Sequence, residues 1–180
     1  MQRVVIKKWK DISLVVPEKS DIAMWYKGMN DLEVQKNIIT PFGYICSLED
    51  EEKFYEKCNK QFKNTFCIYD HQKKKTIWNI GLNHMNFMFR NAELWIVLFD
   101  STTRWKWIGQ QAIELLLEYS FSHLWLNKIY LEVLGSNEIA INCYKKCGFE
   151  EVGRLKKHCY LGWEYHDKVI MEVFNPKAID

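Results

Sequence analysis

The sequence predicts a mixed α/β fold, in which a sheet of six to seven strands is flanked by about four helices. Residues 65–99 contain three apolar segments joined by short polar turns, which is typical of an antiparallel meander. Residues 108–146 have the pattern of helix, strand and helix, which implies a crossover and a parallel strand pair. Residues 149–174 supply two closing strands. No linker or repeat interrupts the chain, so we expect a single domain over residues 1–180.

The first third of the chain is predicted to form one strand and two helices. Residues 11–16 alternate as a short strand, and Ser20-Asp21 can cap a helix that starts at Ile22. Ser47-Leu48-Glu49-Asp50 has the form of a capping box for the second helix. Residues 36–46, between these helices, are predicted to be a loop.

The meander is predicted from strand-forming residues and turn chemistry. Residues 65–69 and 76–82 are rich in aromatic and β-branched side chains, and residues 92–99 form the third strand. The lysine run Lys73-Lys74-Lys75 lies between the first two strands. We interpret this run as part of a solvated hairpin turn.

The second half contains the clearest helix. Apolar residues recur at helical spacing from Ile108 to Leu124, and residues 128–134 then form a strongly β-branched and aromatic strand. Ser136-Asn137 can cap a helix that runs to Lys146. Gly148 is placed to end that helix in the left-handed conformation.

Composition excludes several classes of partner. The chain has 25 basic and 23 acidic residues, and this net charge of +2 favours neither nucleic acid nor an anionic membrane. No apolar run is long enough for a signal peptide or a membrane span, so we expect a cytoplasmic protein. The six cysteines are scattered outside paired motifs, so we expect reduced thiols and no metal site.

One segment has the geometry of an anion site. Hydrolase, zinc-protease and nucleotide-loop motifs are absent from the sequence. A strand that ends at Phe99, a loop over residues 100–107 and a helix from Ile108 together present free backbone N–H groups. Any strand–helix turn has such donors, so the geometry alone is a weak indication of a pyrophosphate site.

Four tracts carry a family resemblance, and they are Asn91-Ala92-Glu93-Leu94, Arg104 to Gly109, Asn127 to Val133, and Asn137 to Phe149. These tracts resemble the GNAT N-acetyltransferases, and Gly153-Arg154-Leu155 and residues 165–171 extend the match toward ribosomal-protein N-terminal and spermidine acetyltransferases. The resemblance implies a strongly twisted GNAT-like sheet, acetyl-CoA as co-substrate, and no metal.

The resemblance also implies which residues hold the coenzyme. The implied coenzyme contacts are Val97, Leu98 and Phe99 on the strand, Arg104, Trp105, Lys106, Trp107, Ile108 and Gly109 around the pyrophosphate, and Asn137. Tyr144 takes the place of the tyrosine that protonates the departing thiolate. Alternatively, Asn137 is only a helix cap and Tyr144 only a core residue.

The pKa of the acceptor amine decides how much a general base contributes to the reaction. An alkylamine with a pKa of about 10.4 costs roughly 4.6 kcal/mol to deprotonate at pH 7, whereas an α-amine with a pKa of about 7.8 costs only about 1 kcal/mol. Glu93 is our candidate base, because strand alternation places it on the same face as residues 95 and 97. The alternative is a structural carboxylate at a sheet edge.

Seven tryptophans stand where the family has glycine. Counting them as glycine raises the glycine content from 8 residues to 15, about 8% of the chain, close to the ordinary ~7%. One hypothesis is that the source organism reads UGA as glycine and that a tryptophan reading produced this sequence. The alternative is a genuine protein with a blocked coenzyme groove. The seven are Trp9, Trp78, Trp95, Trp105, Trp107, Trp125 and Trp163.

These inferences predict an enzyme that moves an acetyl group from acetyl-CoA to a primary amine, either a protein N-terminus or a small amine. A polyamine acceptor of the spermidine type is the alternative, and the acidic run Glu49-Asp50-Glu51-Glu52 would suit it. An impaired coenzyme-binding form is a further alternative, because Trp105 and Trp107 replace loop glycines. The resemblance leaves open whether the protein forms a homodimer.

Overall fold

One eight-stranded sheet carries helices on both faces. The computed structural model describes residues 3–39, 44–58, 64–98 and 105–177, with the backbone alone at 98, 105 and 106. The strands are β1 (Val5–Lys8), β2 (Ile12–Val15), β3 (Asn64–Asp70), β4 (Lys75–Asn86), β5 (Asn91–Leu98), β6 (Lys128–Leu134), β7 (Glu150–Leu161) and β8 (Glu164–Phe174). The helices are α1 (Ile22–Met29), α2 (Leu32–Gln35), α3 (Leu48–Cys58), α4 (Trp105–Ser122) and α5 (Glu138–Lys146).

The sheet has the order β1-β2-β3-β4-β5-β6-β8-β7. The pair β5–β6 is parallel and the other neighbours are antiparallel. The predicted mixed α/β class, the meander and the parallel pair are therefore confirmed. The additional strand is β1, which pairs with β2 through a bulge between Val5 and Lys7. Four residues that end in two lysines give no alternation that a pattern search would detect.

The helices also differ from the prediction in number and extent. The described residues form five α-helices, because Leu32–Gln35 forms α2, whose first turn is capped by the Asp31 side chain accepting from Glu33 N at 2.9 Å. Helix α4 begins at Trp105, three residues before the predicted start at Ile108. Trp105 and Trp107 therefore lie in the first turn of a helix and not in a loop.

Helix α1 begins at Ile22 as predicted, but the Asp21 side chain makes no cap hydrogen bond and instead pairs with Arg3. The predicted capping box of α3 and the predicted glycine after α5 are confirmed. Ser47 Oγ accepts from Asp50 N at 3.1 Å, and Asp50 Oδ2 accepts from Ser47 N at 2.9 Å, which is a capping box. Gly148 follows α5 with a φ of +89°, the left-handed conformation in which glycine has no Cβ penalty. Residues 71–74 form the turn between β3 and β4.

The two faces of the sheet bury different clusters. Helices α4 and α5 pack on the larger core, to which β5 contributes Ala92 and Leu94 and α5 contributes Ile141 and Tyr144. Helices α1 and α3 cover the opposite face, where Trp25 is fully buried. Successive residues of a strand point to opposite faces. The residues of β5 between Ala92 and Leu98 therefore divide between the α4/α5 face and the α1/α3 face.

The parallel strands β5 and β6 separate soon after they begin. Their register joins Asn91–Glu93 to Lys128–Tyr130. Beyond Glu93 the register shows no further pair between the two strands, although residues 94–98 and 131–134 are all described and extended. Strand β6 instead keeps its pairing with β8 up to Leu134. A gap thus opens in the sheet toward the carboxyl ends of β5 and β6.

All six cysteines are free. Among the described residues, no helix is long and apolar enough to cross a membrane.

Candidate active site

Glu93 lies at the point where β5 and β6 part. It shares its face with Trp95, whose ring contacts Phe54 of α3 at a centroid distance of 6.1 Å. Glu93 therefore faces the α1/α3 side of the sheet. Strand β5 lies between β4 and β6, so the alternative of a carboxylate at a sheet edge does not describe this position.

The surroundings of Glu93 favour proton uptake. Burial raises the pKa of Glu93 above its ordinary value of 4.5, and Glu132 raises it further, whereas His84 and Lys168 act in the opposite direction. His84 Nε2 lies 3.6 Å from Glu93 Oε2. A half-buried carboxylate with a raised pKa is better matched to accept a proton near neutral pH than an exposed one.

Tyr144 lies on the opposite face of the sheet, on α5. Its side chain is buried in the core, with a T-shaped contact to Phe149 at a centroid distance of 5.9 Å. Burial raises the pKa of Tyr144, and the neighbouring thiols Cys143 and Cys147 act in the same direction. The phenol is therefore held in its protonated form, which is the form that a proton donor needs.

Asn137 caps α5 and also contacts the first half of the chain. Its Oδ1 accepts from Ala140 N at 3.1 Å, so the predicted cap is confirmed. Its Nδ2 donates to the carbonyl oxygen of Asn37 at 3.2 Å, across 100 residues of sequence. The segment after α2 is thereby tied to the turn at the carboxyl end of β6. Sequence reasoning missed this contact, because nothing in the sequence links positions 37 and 137.

The predicted coenzyme residues are grouped around the end of β5 and the start of α4. Val97 and Leu98 lie at the end of β5, opposite Asn79 and Trp78 of β4. Trp105, Lys106 and Trp107 form the first turn of α4, with Ile108 and Gly109 following. Phe99 and Arg104 lie outside the described residues. The described members of this set thus lie on the last residues of β5 and in the first two turns of α4.

Gly109 lies where α4 packs against its neighbours, and a Cβ there would make only ordinary contacts. An added Cβ at Gly109 would lie 3.8 Å from Trp78 and 4.0 Å from Cys143 Sγ, so this turn packs against β4 and α5 together. Trp107 projects into solvent with 74% of its surface exposed. Neither Trp105 nor Trp107 has a positive φ, because both are helical. The backbone conformation of this turn therefore does not require glycine, and only the close approach of a ligand to the backbone would favour it.

Two of the other tryptophans do occupy backbone conformations that favour glycine. Trp125 has a φ of +55° and Trp163 a φ of +68°. Trp163 follows Gly162, whose φ is +58°, and these two residues form the whole turn between β7 and β8. Two successive positive φ values define the hairpin turn in which Gly-Gly and Asn-Gly are preferred. Tryptophan at the second position is contrary to that preference.

Trp95 fills the α1/α3 face beside Glu93. An added Cβ on Gly81, its partner across β4 and β5, would lie 2.8 Å from Trp95 Nε1. The indole therefore lies directly over Gly81. Its Nε1 is buried and has no hydrogen-bond partner among the described residues. Sequence reasoning placed Trp95 among the glycine-like positions and missed that its ring occupies the face of the candidate base.

The profile of the Acetyltransferase (GNAT) domain matches residues 14–170. The chain belongs to the GNAT acetyltransferase family. The spermidine N(1)-acetyltransferase of Vibrio cholerae is 30% identical over 135 residues, which cover 74% of this chain and 77% of that protein. The spermidine N(1)-acetyltransferase of Escherichia coli is 30% identical over 160 residues, which cover 87% of this chain and 82% of that protein.

A solved structure shares the architecture of this GNAT acetyltransferase. The crystal structure of spermidine N-acetyltransferase from Vibrio cholerae in complex with CoA and spermine has a TM-score of 0.83 and 27% identity. The match covers 93% of this chain and 97% of that chain. The predicted GNAT fold and the acyltransferase class are therefore confirmed, and acetyl transfer to an amine is the reaction of this enzyme.

Proposed function

We propose that this GNAT acetyltransferase transfers the acetyl group of acetyl-CoA to a primary amine of a spermidine-type polyamine. The observation that carries the proposal is the 30% identity to two spermidine N(1)-acetyltransferases, over more than two thirds of both chains. The similar solved structure, a spermidine N-acetyltransferase, is a complex with CoA and with spermine, which is a polyamine. A polyamine amine can approach the half-buried Glu93 carboxylate, whereas the nearby Glu132 is already paired with Lys168 Nζ at 2.9 Å.

The gap between β5 and β6 supports acetyl-CoA as the co-substrate. Residues 94–98 of β5 have no register partner in β6, so an extended ligand can pair with this backbone. The first turn of α4 presents N–H groups at the carboxyl end of β5, where they favour a phosphate. Asn137 lies in the turn after β6, which is the strand on the other side of this gap.

In the proposed mechanism, acid and base act from opposite faces of the sheet. Glu93 accepts the proton of the acceptor ammonium on the α1/α3 face, directly or through water. The amine nitrogen then bonds to the thioester carbon, and the carbon–sulfur bond breaks. Tyr144, on the α4/α5 face, donates its proton to the departing thiolate, and the second proton that the amine nitrogen loses on becoming an amide returns through water to the Tyr144 phenolate. We infer that a backbone N–H near Leu98 stabilises the tetrahedral oxyanion.

The test measures free thiol released from acetyl-CoA. Spermidine is expected to stimulate release, and Tyr144→Phe to lower kcat by about 10²-fold or more, the usual contribution of a general acid. Tyr160→Phe is the matched control, because Tyr160 is 54% exposed on β7. Thiol release that is stimulated by a peptide with a free N-terminus and not by spermidine would contradict the polyamine proposal and indicate a protein acceptor.

A second candidate is an impaired form that binds acetyl-CoA weakly. Trp105 and Trp107 favour it, because both lie in the helical turn that the coenzyme must approach. Calorimetric titration with acetyl-CoA should compare the protein with a variant in which both residues are glycine. Binding at least tenfold tighter in the variant would support the impaired form, and equal binding would contradict it.

The cellular compartment of the protein and its oligomeric state are also matters of proposal. We infer a cytoplasmic enzyme, which is supported by six free cysteines, since reducing compartments keep thiols unpaired. A homodimer is tested by the mass of the protein in solution.

A further inference from the structure

Trp95 lies beside the candidate base and on the same face of the sheet. It follows Glu93 by two residues on β5, and strand alternation directs both side chains to the α1/α3 face. Two residues of a strand span roughly 7 Å. In the described register, β5 pairs with β6 only up to Glu93. The indole therefore lies next to Glu93, at the start of the gap between β5 and β6.

The indole is held between the backbone of β4 and a side chain of α3. A Cβ added to Gly81 would lie 2.8 Å from Trp95 Nε1 and 2.9 Å from its Cε2, so the ring lies directly over β4. Phe54 of α3 makes a T-shaped contact with the ring at a centroid distance of 6.1 Å. Phe54 also contacts the fully buried Trp25 at 5.4 Å. A ring that is packed on two sides in this way resists displacement by a ligand.

The two parts of the Trp95 side chain have different surroundings. Its Nε1 is buried, and no hydrogen-bond partner reaches it within the described ranges. A buried donor without an acceptor is destabilising, so this ring is poorly accommodated. The residue as a whole is only half-buried. Part of the ring surface is therefore open, and a ligand that approaches Glu93 along this face meets that surface.

The proposed mechanism places the acceptor path across Trp95. The acceptor nitrogen must come near Glu93, which takes its proton, and near a thioester whose oxyanion is held by a backbone N–H near Leu98. Trp95 lies between these two positions along β5. The indole thus occupies the stretch of the α1/α3 face that the acceptor has to cross.

We propose that Trp95 is a specificity-determining residue, whose indole narrows the acceptor path beside Glu93 and limits how much of a polyamine fits beyond its reacting amine. A short alkylamine presents little more than the reacting group, so the indole hinders it less. Glycine at this position removes the ring and widens the path. The inference rests on the proposed function, because it takes the Glu93 face as the acceptor face.

The test compares kcat/KM for spermidine with kcat/KM for propylamine in the wild type, in Trp95→Gly and in Trp95→Leu. The ratio of spermidine to propylamine is expected to rise at least tenfold in Trp95→Gly and by less in Trp95→Leu, with the KM for acetyl-CoA unchanged. A purely structural defect would lower both rates together and leave the ratio unchanged. Trp9→Gly is the matched control and should keep the ratio of the wild type, because Trp9 is 44% exposed between β1 and β2.

Thermal unfolding shows which variants fold, and Trp95→Leu keeps an apolar side chain on the sheet if Trp95→Gly does not fold. An unchanged ratio in a folded Trp95 variant that acetylates spermidine would overturn the inference and leave the polyamine proposal intact. If a peptide with a free N-terminus is acetylated and spermidine is not, the polyamine proposal fails. The ratio of peptide to propylamine then decides the inference in the same way. No acetylation of any amine by the wild type and the variants alike would overturn both.

Discussion

Trp163 shows how a single residue can conflict with the backbone that it occupies. The β7–β8 turn has only two residues, and both have positive φ values. A side chain with a Cβ is disfavoured there by roughly 1–2 kcal/mol. Trp125 is in the same situation, with a φ of +55°. The structure therefore supports glycine at these two of the seven glycine-like positions on grounds of conformation alone.

Replacing Trp163 or Trp125 by glycine should stabilise the protein. We expect each change to raise the free energy of unfolding by about 1 kcal/mol, because the relief of backbone strain exceeds the added entropy of the unfolded glycine. Urea denaturation measures the change. Trp9→Gly is the control, since Trp9 is 44% exposed and has no positive φ, and it should give no gain.

The codons of the seven tryptophans at glycine-like positions decide whether UGA read as tryptophan produced them. If the source organism reads UGA as glycine, all seven codons are UGA and mass spectrometry of the native protein finds glycine at each position. A single UGG codon among the seven would refute that origin. Trp25 is a residue of α1 and is fully buried against Phe54 of α3. It is not one of the seven and should be encoded by UGG.

Glu51 is a buried carboxylate that the candidate mechanism does not use. It is 5% exposed, and the Cys46 thiol donates to its Oε1 at 3.1 Å. Burial raises the pKa of Glu51 above its ordinary value of 4.5, and Asp50 adds to the rise, while the Cys46 hydrogen bond opposes it. A raised folded-state pKa stabilises the protein below the unfolded-state value, and this stability is lost as the pH rises through the folded-state pKa.

Glu51→Gln should therefore stabilise the protein more at pH 7 than at pH 4. Thermal unfolding of the variant and the wild type across this range measures the difference in Tm. Glu52→Gln, at an exposed position in the same turn, controls for charge at the helix start. A difference between Glu51→Gln and the wild type that is the same at both pH values would contradict the assignment of a costly buried charge.

At the scale of elements, α5 joins its own cap to a distant segment. Asn137→Ala should lower the free energy of unfolding by about 1 kcal/mol, the usual cost of losing an N-cap. Asn137→Asp keeps the acceptor for Ala140 N but loses the donor to the Asn37 carbonyl. The aspartate variant should therefore lose less stability than the alanine variant, because it keeps the cap.

Acetyl-CoA titration of the same two variants separates a structural from a coenzyme-binding role. If Asn137 contacts the coenzyme, both variants bind it more weakly. If Asn137 is only a cap, Asn137→Asp binds acetyl-CoA as tightly as the wild type.

At the scale of the whole molecule, the order of elements from residue 64 onward follows from the sequence. Strand and helix periodicities there are long, and caps such as Asn137 and Gly148 mark the boundaries. Short elements such as β1 and α2 do not follow, because four residues carry too little periodicity. The faces of Glu93 and Tyr144 also require the tertiary structure, since alternation gives relative directions and not the helix packed on each side.

Because β5 and β6 pair only at their first residues, the sheet consists of two parts, β1–β5 and β6–β8, which we call plates. Three register pairs, Asn91–Glu93 with Lys128–Tyr130, join β1–β5 to β6–β8 within the sheet. A ligand wedged between the plates would bridge them and restrict their relative rotation. Amide hydrogen exchange at residues 94–98 should therefore slow when acetyl-CoA is added, while exchange in β2 and β3, deep within one plate, should stay unchanged.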